Sequence, residues 1–278
     1  MNRTFFRARA VIATIVVLAA WAVPLSAHDL WIEPPASVGI DTVVPIEVRI
    51  GHAGSGEVVA RENARIERLR AHAPSDPTGV EIPGLDGSSP FGVLRPKLPG
   101  SWIAIYESEP FVHRLGAERF RAYLEEEGLD EVLDARKKSG SENRPGIELV
   151  SRSVKTLFSV GDATLEDRRI GLPVEIVAES IPVDFSAGSN DLDSTDLVLR
   201  VEVDGRPRAD VLVDLRSLDG SAAPIASRTD ADGRVRFTVN PGAWIAAAVV
   251  ARPLVDGEEG ADRADWRTIF ASWAVVLR

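Results

Sequence analysis

From Gly171 to the C-terminus, short apolar runs recur about every ten residues with turn residues between them, a spacing that leaves no room for helical crossovers. Asp196–Val203 alternates strictly between apolar and polar, and Val211–Leu215 follows the Asp204-Gly205 turn. Thr229–Val239, Ala243–Val250 and Ile269–Leu277 continue the series. Strands in this rhythm bury one face each and pair antiparallel, which predicts a β-sandwich. Asp230 and Asp232 have the spacing of calcium ligands, but the later ligands and terminal Glu of a calcium loop are missing, so a plain Asp-Gly hairpin turn is expected.

The N-terminal third has the same texture. Thr42–Ile50 and Ser101–Tyr106 are apolar runs bounded by Gly and Pro, and they read as strands. Between the two β-rich regions the period changes. Phe120, Tyr123 and Leu124, then Leu129, Val132 and Leu133, repeat at helical spacing on either side of Gly128, which predicts two short amphipathic helices. Glu125, Glu126 and Glu127 are expected on a solvated face. After the polar stretch 137–145, the residues Ile147, Val150, Val154, Leu157 and Phe158 resume the helical period, with Glu148 and Arg152 placed to pair four residues apart. The expected division is a signal peptide at 1–27, an N-terminal β-rich domain at 28–112, a helical connecting segment at 113–160 and a C-terminal sandwich domain at 161–278. Trp102, Trp244 and Trp273 lie in apolar strands and are expected in cores.

Arg3, Arg7 and Arg9 precede an apolar run, Val11–Val23, which ends in Pro24 and the small pair Ser26-Ala27. This is the order of a secretory signal, and the run is shorter than the roughly 20 residues that a spanning helix needs. Cleavage before His28 is therefore expected, giving a periplasmic or secreted protein without a membrane span. The chain contains no cysteine, so neither a lipid anchor nor a disulfide is available, and stability must come from packed cores. The formal net charge is −10, and losing the three arginines with the signal leaves −13. Nucleic acid is excluded as a partner, because phosphate backbones are held by clustered Lys and Arg that this chain does not have.

Several segments, in order, resemble family 4198 of the domains of unknown function: His28–Pro34, Ile50–Val58, Phe120–Leu129, Glu148–Lys155, Thr229–Phe237 and Ala264–Trp266. The resemblance implies a periplasmic protein with an immunoglobulin-like or carboxypeptidase-regulatory-like C-terminal domain. It also implies metal handling, since some members accompany nickel or cobalt uptake transporters. It places His28 at the mature N-terminus. A histidine there is chemically distinctive, because its free α-amine and Nδ1 can close a chelate ring on nickel, cobalt or copper, with another imidazole completing the site. His52 and His113 are the expected additional ligands, with Asp29 or Glu33 as possible supports. His72 is expected to be an ordinary hydrogen-bonded histidine. Val250 stands where related sequences often carry a histidine, a departure that weighs against a metal.

No nucleophile elbow, phosphate-binding loop or zinc-protease helix is present, so an enzyme is not expected. The expected function is that of an exported accessory protein that binds nickel or cobalt and assists a membrane metal-uptake transporter. The alternative is a non-catalytic sandwich module that binds protein or glycan. A more remote one is a copper-dependent oxidative enzyme, a class that also uses a terminal histidine.

Overall fold

The computed structural model describes residues 29–51, 56–182 and 195–278; the signal segment, His28 and His52 lie outside them. Strands β1 (Asp29–Ile32), β2 (Val44–Ile46), β3 (Val48–Gly51) and β4 (Glu57–Val59) are followed by β5 (Ile66–His72), β6 (Val80–Glu81), β7 (Gly92–Leu94), β8 (Gly100–Ser108) and β9 (Phe111–Leu115). Helices α1 (Ala117–Glu126) and α2 (Asp130–Lys138) intervene before β10 (Gly146–Val160). Then come β11 (Val174–Ser180), β12 (Thr195–Val203), β13 (Arg206–Pro207), β14 (Leu212–Ser217), β15 (Ile225–Arg228), β16 (Arg234–Val239), β17 (Gly242–Pro253) and β18 (Trp266–Leu277). The protein is thus mainly β, with sheets packed as sandwiches and one short helical segment.

A nine-stranded sheet in the order β15-β14-β17-β18-β10-β8-β5-β6 runs through both β-rich regions, with β9 continuing beside β10 where β8 leaves off. Its spine is β10 beside β18, a parallel pair; the other pairings in the sheet are antiparallel. One face carries a four-stranded sheet of β11, β12, β13 and β16, and the core between them holds Ile103, Leu157, Val201, Val213, Trp244 and Trp273. The opposite face carries the small sheets β1-β3-β4 and β2-β7 over Trp102, Ala104, Val154 and Phe158. The helices cover the rest of that face, packing Phe120, Leu124 and Val132 on Val249, Ala251 and Trp266. Alternate residues of β8 therefore enter opposite cores, and the strand reads as an unbroken apolar run.

Two expectations need correction. Residues 147–158 form strand, not helix. β10 is covered on both faces, so apolar residues point both ways and its polar residues are paired inside; the period-2 signal disappears, and a chance helical spacing remains. Glu148 and Arg152 consequently do not pair as helix neighbours. The acidic triplet after Leu124 is likewise not uniformly solvated: Glu125 and Glu126 are exposed, but Glu127 is drawn inward at the end of α1. The helix break does fall at Gly128, whose φ of 64° ends α1 with Leu129 N–H donating to Leu124 O at 2.8 Å. Trp102, Trp244 and Trp273 are all buried. Asp230 and Asp232 form the expected turn, with Asp230 Oδ1 accepting from the Asp232 and Arg234 N–H groups. Among the described residues no helix is long and apolar enough to cross a membrane.

Candidate functional site

Strand β1 is held across the spine at two points. The Thr156 hydroxyl donates to Ile32 O at 2.6 Å and the Ser272 hydroxyl donates to Leu30 O at 2.6 Å. These bonds fix the course of β1, so its N-terminal end runs down β10 from Thr156 toward Arg152 and, beyond that, Glu148. In register, Asp29 is opposite Gly51, so β1 begins and β3 ends at the same side of the ladder.

At that end a set of buried and half-buried charges converges from four elements. Asp29 forms an ion pair with Arg216 on β14, and Arg216 also holds Asp214 at 2.5 Å. Glu127 contributes a carboxyl group from the end of α1; burial first, then the negative charges of Asp29, Glu126 and Asp214, push it up to about 8, against the opposing pull of Arg216. Arg152 on β10 lies over the Phe270 ring at 5.3 Å, and burial lowers its pKa while Asp29 opposes that effect. Asp214 Oδ1 is buried and has no hydrogen-bond partner among the described residues. A cavity of about 260 Å³, lined by Leu30, Ile50, Phe91, Tyr106, Phe111 and Arg152, opens beside the same strand end.

Residues 25–252 match the family described as "Domain of unknown function (DUF4198)". The chain belongs to the DUF4198 family. No curated protein matches it. Among solved structures it is similar to the D0-D1 domain of intimin, at 14% identity and a TM-score of 0.23 over 89% of this chain and 97% of that one. The D00-D0 domain of intimin matches at 12% identity and a TM-score of 0.22, over 90% of this chain and 100% of that one. Dimeric latent PorU from Porphyromonas gingivalis matches at 10% identity and a TM-score of 0.19, over 90% of this chain and 20% of that one. Likenesses this remote carry no argument about what the DUF4198 protein does.

Its histidines are distributed unevenly. His113 lies on β9 opposite Glu148 in register, with Nδ1 3.5 Å from Glu148 Oε2. Glu148 is itself buried and also accepts from the Thr268 hydroxyl at 2.5 Å and the Tyr123 hydroxyl at 3.4 Å. That second cluster is about four strand residues, or roughly 13 Å, further along β10 than Arg152. Tyr123 links the two, because both Glu148 and Glu127 act on its hydroxyl, which burial pushes well above its ordinary value. His72 stands apart at the end of β5, buried, with Nδ1 3.4 Å from Asp76 O; burial lowers its pKa and so favours the neutral ring. Its ring lies so close to Gly79 that a Cβ there would come within 2.8 Å, and its buried Nε2 has no hydrogen-bond partner among the described residues. His28 and His52 are outside the described residues, but the described residues that flank them, Asp29 and Gly51, are direct partners. Among the described residues no three His, Cys, Asp or Glu side chains are grouped to hold a metal ion.

The polar groups around the start of β1 are mainly carboxyl groups: Asp29, Glu127 and Asp214 against Arg152 and Arg216. An additional cation there would meet an orphaned carboxylate oxygen and a carboxyl group whose ionisation it would favour. Glu127 and Asp214 were not recognisable as members from the sequence, since each occupies a position that also suits a surface acid.

Proposed function

We propose that the mature DUF4198 protein is an exported, non-catalytic binding protein for a divalent transition metal, nickel or cobalt, and an accessory to its uptake by a membrane transporter. The α-amine and Nδ1 of a terminal His28 would supply the chelate, and His52 the neighbouring imidazole. Asp29, Asp214 and Glu127 would supply the balancing negative charge. The observation that carries the reading is Asp214 Oδ1, a buried carboxylate oxygen without a donor among the described residues, on a side chain that shares Arg216 with the residue that follows His28. Such an orphan costs about 1–3 kcal/mol and is relieved by a cation. His113, tied to Glu148 further along the spine, stands too far from that end to ligate the same ion.

The test is calorimetric titration of Ni²⁺, Co²⁺ and Cu²⁺ into protein with an authentic His28 terminus. One added residue before His28 separates the amine from the imidazole, and it should weaken binding about tenfold or more, as should Asp214→Asn. Affinity should also fall as pH drops through about 6.5, where imidazole takes up its proton. Equal affinities for the mature, extended and His28→Ala proteins would refute the site and leave a sandwich module for protein or glycan as the better reading.

A further inference from the structure

On the face of the spine opposite β1, in the core between the nine-stranded sheet and β11, three ionisable side chains are fully enclosed. Lys155 on β10 is 1% exposed, and its ammonium lies 2.8 Å from Asp167 Oδ1 and 2.8 Å from Glu175 Oε1. It also donates to Arg168 O at 2.7 Å. Asp167 sits in the connection between β10 and β11 with its side chain 0% exposed. Its Oδ2 accepts from the Trp273 indole at 3.0 Å and from Ala178 N–H at 2.7 Å. Glu175 is gripped by the Ile170, Gly171 and Leu172 N–H groups at 2.8–3.1 Å.

Two carboxylates and one ammonium would leave a net negative charge in a dry apolar core, at a cost of several kcal/mol per ion even after relaxation. Burial therefore favours a proton on one of the two carboxyl groups, and it pushes that of Asp167 up from its ordinary value against the pull of Lys155 and of the Ala178 and Arg168 N–H groups. The arrangement that results is an amine and a neutral carboxylic acid, locked in contact beside a carboxylate and shielded from water by Trp273. Fixed proximity of this kind replaces the entropy of a bimolecular encounter.

We propose that Lys155 and Asp167 condense into an intramolecular isopeptide bond, with Glu175 relaying the proton. The Lys155 ammonium passes one proton to Glu175 Oε1. The freed Nζ lone pair attacks Asp167 Cγ, forming the C–N bond and a tetrahedral intermediate. Glu175 returns the proton to a departing hydroxyl, the C–O bond breaks, and one water leaves. The nitrogen's second proton passes to Glu175, so the product is a neutral amide beside a neutral carboxyl group. No oxidant, reductant or co-reactant is required. The reaction replaces a buried ion cluster with an uncharged link, and it locks β10 to the chain segment leading into β11 in a protein with no cysteine for a disulfide.

Mass spectrometry of the intact mature protein tests this directly: the chain should be lighter by one water than its sequence requires. Trypsin does not cut after an acylated lysine, so Ser153–Arg168 should appear as a single peptide, also lighter by one water. Chymotrypsin, cutting after Leu157 or Phe158, should open that ring into two chains still joined. Glu175→Gln and Lys155→Arg should each give the full mass. Wild-type protein at full mass, with Lys155 cleaved by trypsin, would overturn the proposal and show an ionic cluster only. A link formed equally well in Glu175→Gln would overturn the relay.

Discussion

Replacing Glu127 by Gln removes a carboxyl group whose ionisation the fold opposes. In the native protein this group titrates at about 8, whereas a free glutamate titrates at 4.5. The folded chain therefore binds more protons than the unfolded chain between those values, so stability falls as pH rises through that window. The favourable contribution is complete below 4.5 and gone once pH passes about 8. At about 1.4 kcal/mol per pH unit the ceiling is about 5 kcal/mol, or about 3 kcal/mol at pH 7. Glu127 keeps partial solvent contact, which screens this to about half. Glu127→Gln should accordingly stabilise the protein at pH 8 by about 2 kcal/mol, raising the melting temperature by several degrees, and leave it nearly unchanged at pH 4.5. Scanning calorimetry of both proteins from pH 4.5 to 8.5 gives the comparison. Parallel pH profiles, offset or coincident, would show that the Glu127 carboxyl group is not held against its ionisation and would refute the account of the charge cluster. If the cluster is a cation site, saturating Ni²⁺ should flatten the wild-type profile more than that of the variant.

Trp244 is 3% exposed, and its indole donates to Asn240 O at 2.9 Å, so Trp244→Ala should destabilise the protein by about 3–5 kcal/mol in a denaturant titration. An unchanged midpoint would mean that the ring does not support the core. Gly146 begins β10 where a Cβ would stand 2.2 Å from the Phe120 ring. Gly146→Ala should therefore cost about 1–3 kcal/mol and weaken the seat of α1, and combining it with Phe120→Leu should recover part of the loss. Additive losses in the pair would refute the clash.

The strands with one solvated face were legible because alternation survives wherever one side meets water. β14 and β16 follow it residue by residue. β10 was not legible: Glu148, Lys155 and Thr156 face the interior of a strand covered on both sides, and only pairing partners distant in sequence make that possible. The same blindness hid the charge cluster. Arg216 looks like an outward residue of an alternating strand, yet its partner Asp29 lies 187 residues away. Glu127 looks like the third member of a solvated triplet, and only the approach of β1 and β14 distinguishes it from Glu125 and Glu126. Local periodicity reports a residue's face but not what that face is packed against.

This packing also ties the start of β1 to the most deeply buried part of the molecule. The hydroxyls that hold β1, on Thr156 and Ser272, belong to the two spine strands, and Thr156 directly follows Lys155. Successive strand residues point to opposite faces, so Thr156 meets β1 on one side of the sheet while Lys155 meets Asp167 and Glu175 on the other. The spine is thus pinned from both faces at adjacent residues, by neutral hydroxyl donors on one side and a charged or covalent clamp on the other. A ligand that orders the start of β1 acts on a strand whose opposite face is already fixed. The free energy of ordering is therefore confined to β1 and its immediate neighbours, and is not spent on rearranging the sandwich beneath.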